Sequence, residues 1–495
     1  MHFLALDQGT SSSRAMLFDE HGALITCARR ELEVHTPQPG WVEQDAMTLW
    51  MSQRAAAEDV LASTGITARD IAAIGIANQR ETTILWDRAS GRPIAPAIVW
   101  QDRRTAAYCK TIDTPATAKE LQARTGLRLD PYFSATKIRW MLDHVDGARA
   151  RAERGELAFG TVDSWLIWNF TEGRVHATDV TNAARTLLFN LDTLAWDDEL
   201  LELFGIPHAL LPEVRLSAAH FGHARLADGE IAMTGVAGDQ PASLLGLHGR
   251  GAGCLKNTYG TGAFVLMHTG TQRLQAEGLI SGPVCSLPGE AQAYGLEGSI
   301  FVAGALVQWL RDGLGLFEQS KDIEALARSV PDSGGVTIVP ALAGLGAPFW
   351  DPAARGTILG LTRGSSAAHL ARAALEAIAF RTRDVVDAMR GALTAPVETL
   401  QVDGGAAVND LLMQIQSDVL GIPIVRPKSI ETTAAGAAML AAAGGGALDI
   451  IMLDAWLHAG DRFEPRLDAS TRERRYRTWQ RACLCARDWA TDANA

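Results

Sequence analysis

Two segments, about half a chain length apart, share one pattern of apolar and polar positions. Residues 3–18 and residues 254–266 each run from an apolar strand through a short polar turn into a second apolar strand, and each turn contains Gly-Thr. Glycine allows backbone N–H groups to approach an anion closely, and hydroxyl groups add donors without bulk. The repeated pattern predicts a duplicated nucleotide-binding fold whose two hairpins grip a polyphosphate from both sides.

The rest of the first half alternates strand patterns with helical ones. Residues 71–77 form a continuous apolar run, which is typical of a strand that is covered on both faces. Ile138, Met141, Leu142 and Val145 recur at helical spacing and predict an amphipathic helix. Alternation of this kind favours α/β domains with mixed sheets.

The second half repeats the order strand, loop, helix. Leu400–Asp403 is predicted as a short strand, residues 404–405 as a turn, and Asn409 as the N-cap of the next helix. Residues 433–443 are rich in alanine and include Gly436, so we expect this helix to pack closely against its sheet.

A glycine-rich stretch at residues 246–253 lies between the two repeated patterns. Such a stretch is typical of a domain boundary, and it is equally consistent with a hinge or a plain surface loop. We place the two domains at residues 1–248 and 249–495, with the first hairpin in one and the second hairpin in the other.

Composition narrows the class of partner. The chain has 495 residues, 47% hydrophobic and 21% charged, which suits a globular protein of two or three domains. Its formal net charge of −12 argues against nucleic acid as a partner. Binding of an anion such as ATP must therefore depend on local donors and a metal ion.

The six cysteines are scattered, and no apolar stretch reaches the roughly 20 residues that a membrane-spanning helix needs. Because the chain enters a predicted strand at once, we expect no signal peptide. These features predict a cytoplasmic protein without disulfide bonds and without membrane insertion. The cysteines are Cys27, Cys109, Cys254, Cys285, Cys483 and Cys485.

Several charged residues follow predicted strands, where an α/β sheet places its ligands. Asp7 precedes the first Gly-Thr turn and could hold Mg²⁺ through water, while Arg14 could reach a terminal phosphate. Arg80 and Glu81 offer donors and acceptors suited to the hydroxyl groups of a small polyol, although a surface ion pair would give the same pattern.

Other candidates are weaker when each is taken alone. Asp239 follows a run of small residues and could accept a proton from a substrate hydroxyl, but taken alone the pattern favours a turn residue. Trp100 and Tyr132 could wall a carbon chain, although the local pattern favours a core position. In the second half, Gly304 would admit a flat adenosine group, and Gln308 could hydrogen-bond to it.

Longer motifs resemble a known family, the FGGY carbohydrate kinases. Residues 132–144 match the first family signature, and residues 356–376 match the second. Residues 78–83, 98–101 and 256–262 resemble the members of the family that phosphorylate glycerol. The resemblance runs from Leu4 to about Trp479, nearly the whole chain.

The resemblance implies a pair of actin-like, ribonuclease-H-like α/β domains with a cleft between them. It implies ATP-dependent phosphorylation of glycerol to sn-glycerol 3-phosphate, with Asp239 as the catalytic base and with Mg²⁺ positioned by Asp7 and Asp239. The glycerol-binding residues that it implies are Arg80, Glu81, Trp100, Tyr132, Asp239, Gln240 and Phe264. The ATP-binding residues that it implies are Thr10, Ser11, Ser12, Arg14, Thr261, Gly304, Gln308, Gly405 and Asn409.

Two alternatives to this interpretation remain at the level of sequence. One is another polyol or sugar kinase of the same family, which would need a pocket for a longer chain. The other is a non-catalytic ATP-binding or actin-like structural protein, which is disfavoured because Asp7 and Asp239 are both present. We expect a homodimer or homotetramer.

Overall fold

The computed structural model describes residues 1–226, 229–247, 249–456 and 460–490. Residue 248, at which we place the domain boundary, lies outside the described residues, and that boundary stays a prediction. The contacts divide the chain into two compact units. The first unit comprises residues 1–248, 281–294 and 432–457, and the second comprises residues 249–280, 295–431 and 458–495.

Strands and helices alternate along the described residues. The strands are β1 (His2–Gln8), β2 (Ser12–Asp19), β3 (Leu24–Glu31), β4 (Glu43–Gln44), β5 (Ile71–Asn78), β6 (Ile84–Asp87), β7 (Ala97–Ile98), β8 (Leu157–Gly160), β9 (Ala177–Asp179), β10 (Phe189–Asn190), β11 (Ala195–Trp196), β12 (Glu213–Arg215), β13 (His223–Leu226), β14 (Gly229–Gly238), β15 (Leu255–Tyr259), β16 (Ala263–Gly270), β17 (Ile280–Pro283), β18 (Tyr294–Ile300), β19 (Thr337–Val339), β20 (Thr357–Leu359), β21 (Leu400–Asp403), β22 (Ile424–Arg426) and β23 (Asp461–Phe463). The α-helices are α1 (Ala46–Thr64), α2 (Ala106–Ile112), α3 (Pro115–Thr125), α4 (Ser134–His144), α5 (Ala148–Glu153), α6 (Val162–Phe170), α7 (Val180–Ala183), α8 (Asp198–Phe204), α9 (Asp239–Gly246), α10 (Gly304–Asp312), α11 (Asp322–Arg328), α12 (Ala367–Ala392), α13 (Asp410–Leu420), α14 (Thr432–Gly444), α15 (Ile450–Asp454) and α16 (Ala469–Ala486).

The central sheet of the first unit has the strand order β13-β14-β5-β1-β2-β3. Strands β1 and β2 form the predicted antiparallel hairpin, whereas β1, β5 and β14 run parallel. Both faces of β5 are covered, as its apolar run predicts. Ile74 and Ile76 belong to one core cluster, and Ala73 and Ala77 belong to the cluster on the opposite face.

The alanine-rich helix α14 packs on the small-residue face of β5. A Cβ atom added at Gly75 would lie 2.0 Å from the carbonyl oxygen of Ala437, so the strand and helix backbones are in direct contact there. Gly436 makes a similar approach to α9, where an added Cβ would lie 1.9 Å from the oxygen of Ala242. The expected close packing of this helix on its sheet is confirmed.

The sheet of the second unit repeats the arrangement of the first. Its strands include, in neighbouring order, β18, β16, β15, β21, β22 and β23. Strands β15 and β16 form an antiparallel hairpin, and β15 is parallel to β21, just as β1 is parallel to β5. Each unit therefore places a hairpin turn at the carboxyl end of a parallel strand pair, which confirms the predicted duplication of the hairpin and the mixed α/β sheets.

Three local expectations compare directly with the structure. Strand β21 spans the residues predicted for it, and the side chain of Asn409 caps α13 by accepting from the Leu412 N–H at 2.8 Å. The amphipathic helix is α4, which ends at His144, so Val145 follows the helix rather than completing its apolar stripe.

Candidate active site

The charged residues predicted in the first half lie at one edge of the first sheet. Ala77 of β5 pairs with Asp7 of β1 on one side and with Ala237 of β14 on the other. Asp7 is near the end of β1, Arg80 lies two residues after β5, and Asp239 directly follows β14. All three charged residues are therefore at the carboxyl ends of parallel strands. This is the position at which open α/β sheets bind ligands.

Arg80 and Asp239 contact each other at this edge. The Arg80 Nε atom lies 3.2 Å from Asp239 Oδ1, and the arginine side chain is buried while 34% of the aspartate side chain is exposed. A Cβ atom at Gly238 would lie 2.5 Å from Arg80 Cδ, so glycine is required where the arginine stem passes. The ion pair holds a partly exposed carboxylate in one orientation.

Asp239 is also the first residue of helix α9. Its Oδ1 atom accepts from the Gln240 N–H at 2.8 Å, and its Oδ2 atom accepts from Gln240 Nε2 at 3.2 Å. A carboxylate at a helix N-terminus is favoured by the helix dipole. The carboxylate of Asp239 is therefore stabilised by the helix as well as by Arg80.

A buried polar network lies behind this helix. The Gly238 N–H donates to Thr181 Oγ1 at 2.8 Å, and Thr181 Oγ1 donates to Asp179 Oδ2 at 2.8 Å. Ser217 Oγ donates to the same oxygen at 2.7 Å. Burial raises the pKa of the Asp179 carboxyl group, although these donors oppose the rise. The network fixes the backbone directly before Asp239.

Glu81 has a backbone conformation that only a few non-glycine residues adopt. Its φ is 60°, and its side chain is buried. Its carbonyl oxygen accepts from Ser134 Oγ and Thr83 Oγ1, both at 3.0 Å. Its Oε1 atom accepts from Arg185 Nε. Strained residues of this kind persist where surrounding contacts hold them, and they cluster at functional sites.

Trp100 and Tyr132 contact each other edge to face, with ring centroids 5.7 Å apart. Tyr132 is buried, as its local pattern favours, whereas Trp100 is partly exposed. The Trp100 Nε1 atom donates to Thr10 Oγ1 at 2.9 Å. The aromatic pair is therefore hydrogen-bonded to the Gly-Thr turn of the first hairpin.

The first turn spans residues 9–12, with the Gly9 N–H donating to the Ser12 carbonyl at 3.0 Å. Ser11 is exposed and Ser12 is buried. Arg14 pairs with Asp7 across the hairpin through its Nη2 atom and the Asp7 Oδ2 atom. The two groups predicted to contact phosphate and Mg²⁺ thus contact each other.

The donor set at this edge fits Mg²⁺ bound through water and substrate phosphates. Strands β1 and β14 are two strands apart, which separates the backbones of Asp7 and Asp239 by roughly 10 Å. Within the described ranges, no three His, Cys, Asp or Glu side chains cluster as a closed metal site. Mg²⁺ commonly keeps several waters and uses one or two carboxylates, so the two aspartates suit it.

In the second unit, the turn at residues 260–262 packs against the start of helix α10. The Thr261 carbonyl accepts from the N–H groups of Ala303 and Ala305, both at 2.9 Å, and the Gly304 N–H donates to the Gly260 carbonyl at 3.0 Å. A Cβ at Gly304 would lie 2.6 Å from the Gly260 oxygen. The close approach of the Gly260 carbonyl within the second unit therefore already requires glycine at position 304.

The remaining predicted residues of the second unit lie on neighbouring elements. Gln308 is exposed on α10, and Phe264 is partly exposed on β16. A Cβ added at Gly405 would meet no atom within 4 Å, so the fold of this unit does not require glycine there. A single 3₁₀ turn follows β21 and begins at Gly405. Asn409 comes directly after this turn and caps α13.

Two buried cations at the site were not predicted as site residues. Arg185 binds Glu81, and Lys137 Nζ donates to the Tyr132 carbonyl. Burial lowers the pKa of Lys137 to about 8. Arg185 lies three residues after the polar pair Thr181-Asn182, and this cluster of polar residues near an arginine is the one sequence signal that could have suggested it.

Within the described part of the chain, no helix is long and apolar enough to span a bilayer. All six cysteines are free thiols, as expected.

Comparison with known proteins gives matches over nearly the whole chain. The model of the FGGY family of carbohydrate kinases, N-terminal domain, matches residues 2–246, and that of the C-terminal domain matches residues 255–445. The chain is 56% identical to a glycerol kinase of Methylibium petroleiphilum over 97% of this chain and 98% of the relative. It is 52% identical to a glycerol kinase of Citrifermentans bemidjiense, with 99% of each chain covered.

A solved structure shares the fold. The crystal structure of Plasmodium falciparum glycerol kinase with ADP superposes with a TM-score of 0.91 at 31% identity, covering 98% of each chain. This similarity confirms the two-domain α/β fold class predicted from the sequence.

Proposed function

The chain belongs to the FGGY family of carbohydrate kinases, and we propose that it transfers the γ-phosphoryl group of ATP to glycerol, giving sn-glycerol 3-phosphate and ADP. The observation that carries this proposal is the 52–56% identity to glycerol kinases over nearly the full length of both chains. The ion pair between Arg80 and Asp239, next to the buried Glu81, supports it independently as a polar site for a small polyol.

Glycerol is bound in this proposal by the polar groups at the carboxyl edge of the first sheet. Arg80 donates to one hydroxyl group, Glu81 and Asp239 accept from hydroxyl groups, and Gln240 does either. Trp100, Tyr132 and Phe264 contact the carbon chain. The exposed fraction of Asp239 supports its role, because a reacting hydroxyl group must reach the carboxylate.

Asp239 is the general base of the proposed reaction. Its carboxylate accepts the proton of the terminal hydroxyl group while that oxygen forms a bond to the γ-phosphorus and the bond from the γ-phosphorus to the ADP oxygen breaks. Arg80 and the Gln240 N–H hold the carboxylate in place during this step. The main contribution of the protein to this reaction is to position the reacting groups.

ATP is bound by two sets of residues in this proposal. The hydroxyl and backbone groups of the first turn, together with Arg14, bind phosphate oxygens, and the second-unit residues bind the remainder of the nucleotide. Gly405 supports the assignment, because the open space beside it would accommodate a flat ligand. The complete set is Thr10, Ser11, Ser12, Arg14, Thr261, Gly304, Gln308, Gly405 and Asn409.

We further propose Mg²⁺ as the cofactor, held by Asp7 and Asp239 through water and substrate phosphates. When bound, this ion supplies positive charge that offsets the charge on the phosphate groups. A cytoplasmic location and a homodimeric or homotetrameric assembly complete the proposal.

The substrate is tested against the rival polyol and sugar kinases by steady-state kinetics. We expect kcat/KM to be higher for glycerol than for xylulose, erythritol or dihydroxyacetone, because the hydroxyl-binding groups form one compact set. A higher kcat/KM for a sugar would contradict the substrate assignment and leave the family assignment intact.

A further inference from the structure

Arg185 lies on a segment that is fixed to the substrate edge of the first sheet. Its N–H donates to the Asn182 carbonyl at 3.0 Å. The amide groups of Asn182 and Asn78 exchange two hydrogen bonds of 2.9 and 3.0 Å, and Asn78 is the last residue of β5. The backbone from which Arg185 extends is therefore anchored two residues before Arg80.

The Arg185 side chain contacts a carboxylate and two aromatic rings. Its Nε atom donates to Glu81 Oε1. Its Cζ atom lies 5.3 Å from the ring centroid of Tyr132 and 5.2 Å from that of Phe133, within the range of cation–π attraction. One guanidinium group thus contacts the acidic and the aromatic side of the proposed glycerol site.

The next residue extends the same link to helix α4. The Thr186 carbonyl accepts from the Ala135 N–H at 2.8 Å, so it binds an N–H group in the first turn of α4. Tyr132 lies two residues before that helix. Residues 182–186 consequently hold the end of β5, Glu81 and the start of α4 in one arrangement.

The ion pair between Arg185 and Glu81 is buried on both sides, with 6% and 2% of the side chains exposed. Taking two charges out of water is costly, and such pairs contribute little to stability compared with apolar residues of similar size. They do fix the geometry of the groups involved, and a carboxylate that must accept from a particular hydroxyl group needs a fixed orientation.

We propose that Arg185 is a positioning residue for glycerol, which orients the Glu81 carboxylate and the Tyr132 ring without contacting the phosphate donor. This inference rests on the proposed function and adds a residue to it. Arg185 acts on glycerol binding, because Glu81 and Tyr132, which it contacts, belong to the proposed glycerol set.

The test measures KM for glycerol and for ATP in full-length R185M and R185K. For R185M we expect KM for glycerol to rise about 10- to 100-fold, the range for losing a hydrogen bond to a buried charged group. We expect KM for ATP to change by less than about threefold, since ATP contacts neither Glu81 nor Tyr132 in the proposal. R185K retains the positive charge, so its KM for glycerol should lie between those of R185M and the unchanged protein.

R124M is the matched control. Arg124 is a more exposed arginine of the same unit, and it is ion-paired with Asp197 and Glu199, neither of which belongs to the proposed glycerol set. We expect KM for glycerol in R124M to stay within about twofold of the unchanged protein. Thermal unfolding of all variants reports folding separately from binding.

Each outcome bears on the inference. Unchanged KM for glycerol in folded R185M, or an equal rise in KM for glycerol and ATP, overturns it. If R185M does not fold, R185K decides: a rise of more than about threefold in KM for glycerol alone supports the role, and no rise overturns it. Failure of the unchanged protein to phosphorylate glycerol would instead overturn the proposed function.

Discussion

At the scale of single residues, the site depends on pairs of opposite charge that hold each other in place. Arg80 contacts Asp239, Arg14 contacts Asp7, and Arg185 contacts Glu81. Each carboxylate therefore has a cation beside it. The arrangement orients acidic groups that would repel one another and an anionic substrate if they stood alone.

The first prediction concerns the general base. Asp239→Asn keeps the shape of the side chain but cannot accept the hydroxyl proton, so we expect kcat to fall by about two to four orders of magnitude. ATP binding should be largely retained, because Asp7 and the proposed nucleotide-binding residues are unchanged. Steady-state turnover and calorimetric titration with a non-hydrolysable ATP analogue measure the two effects.

Asp146→Asn is the control for that variant, because Asp146 is an exposed carboxylate on the surface of the same unit. Its turnover should equal that of the unchanged protein. Turnover of Asp239→Asn within about tenfold of the unchanged value would remove Asp239 from the role of base.

The second prediction concerns Asp163, a fully buried acid next to the polar network. Its oxygens accept from Thr161 Oγ1 at 2.5 Å and Thr178 Oγ1 at 2.6 Å. Burial, with the nearby Asp179 charge, raises the pKa of Asp163 from 3.8 to about 7. Between these values the folded protein holds a proton that the unfolded chain releases, so this group's contribution to stability is present at low pH and is lost as pH rises toward about 7.

Asp163→Asn removes that titration, because asparagine stays uncharged. The midpoint of thermal unfolding of the variant, relative to that of the unchanged protein, should therefore be higher at pH 8 than at pH 5. Comparing the two proteins at each pH cancels the effects of titrating groups that do not interact with Asp163. The same difference at both pH values would contradict the raised pKa.

At the scale of elements, small residues bring a strand and a helix into backbone contact. One face of β5 carries Ala73, Gly75 and Ala77, and α14 lies on that face with its own alanines. The opposite face carries Ile74 and Ile76 and packs in a different cluster. Small and large side chains alternate along β5. Helix α14 therefore packs close to the small-residue face, whereas bulkier side chains fill the core on the opposite face.

The third prediction follows from that contact. Gly75→Ala places a Cβ atom 2.0 Å from the Ala437 oxygen, so the strand or the helix must move. We expect a loss of about 1–3 kcal/mol in the free energy of unfolding, the usual cost of overpacking. Gly282→Ala is the matched control, since its added Cβ meets no atom within 4 Å. Equal unfolding midpoints for the two variants would contradict the tight contact.

Local signals predicted the elements well, whereas contacts distant in sequence escaped prediction. The hairpin turns and the Asn409 cap depend on a few adjacent residues, so their sequences suffice. Arg185 and Glu81 are 104 residues apart, and neither carries a local mark of the pairing. Residues 432–457 belong to the first unit although they lie far along the chain, and their position in the sequence gives no sign of this.

At the scale of the whole molecule, one design occurs twice. In each unit a hairpin begins on a strand that is parallel to a later strand, and the turn lies at the carboxyl end of that pair. The turns differ in detail: residues 9–12 close the first hairpin, and residues 260–262 close the second. The paired charges, Trp100 and Tyr132 that we assign to glycerol belong to the first unit, whereas Phe264 belongs to the second.

The duplication accounts for how a chain with a net charge of −12 could bind a polyanion. Backbone N–H groups and hydroxyl groups at the turns provide donors without changing the net charge. Affinity for the nucleotide then depends on local geometry rather than on a positive surface.

The central claim is phosphoryl transfer from ATP to one terminal hydroxyl group of glycerol. The most direct measurement incubates the full chain with ATP, Mg²⁺ and glycerol, follows the products by ³¹P NMR, and assigns the enantiomer with a stereospecific sn-glycerol 3-phosphate dehydrogenase. We predict equimolar ADP and sn-glycerol 3-phosphate. Formation of ADP and inorganic phosphate without a phosphorylated glycerol, or of the opposite enantiomer, would contradict the account.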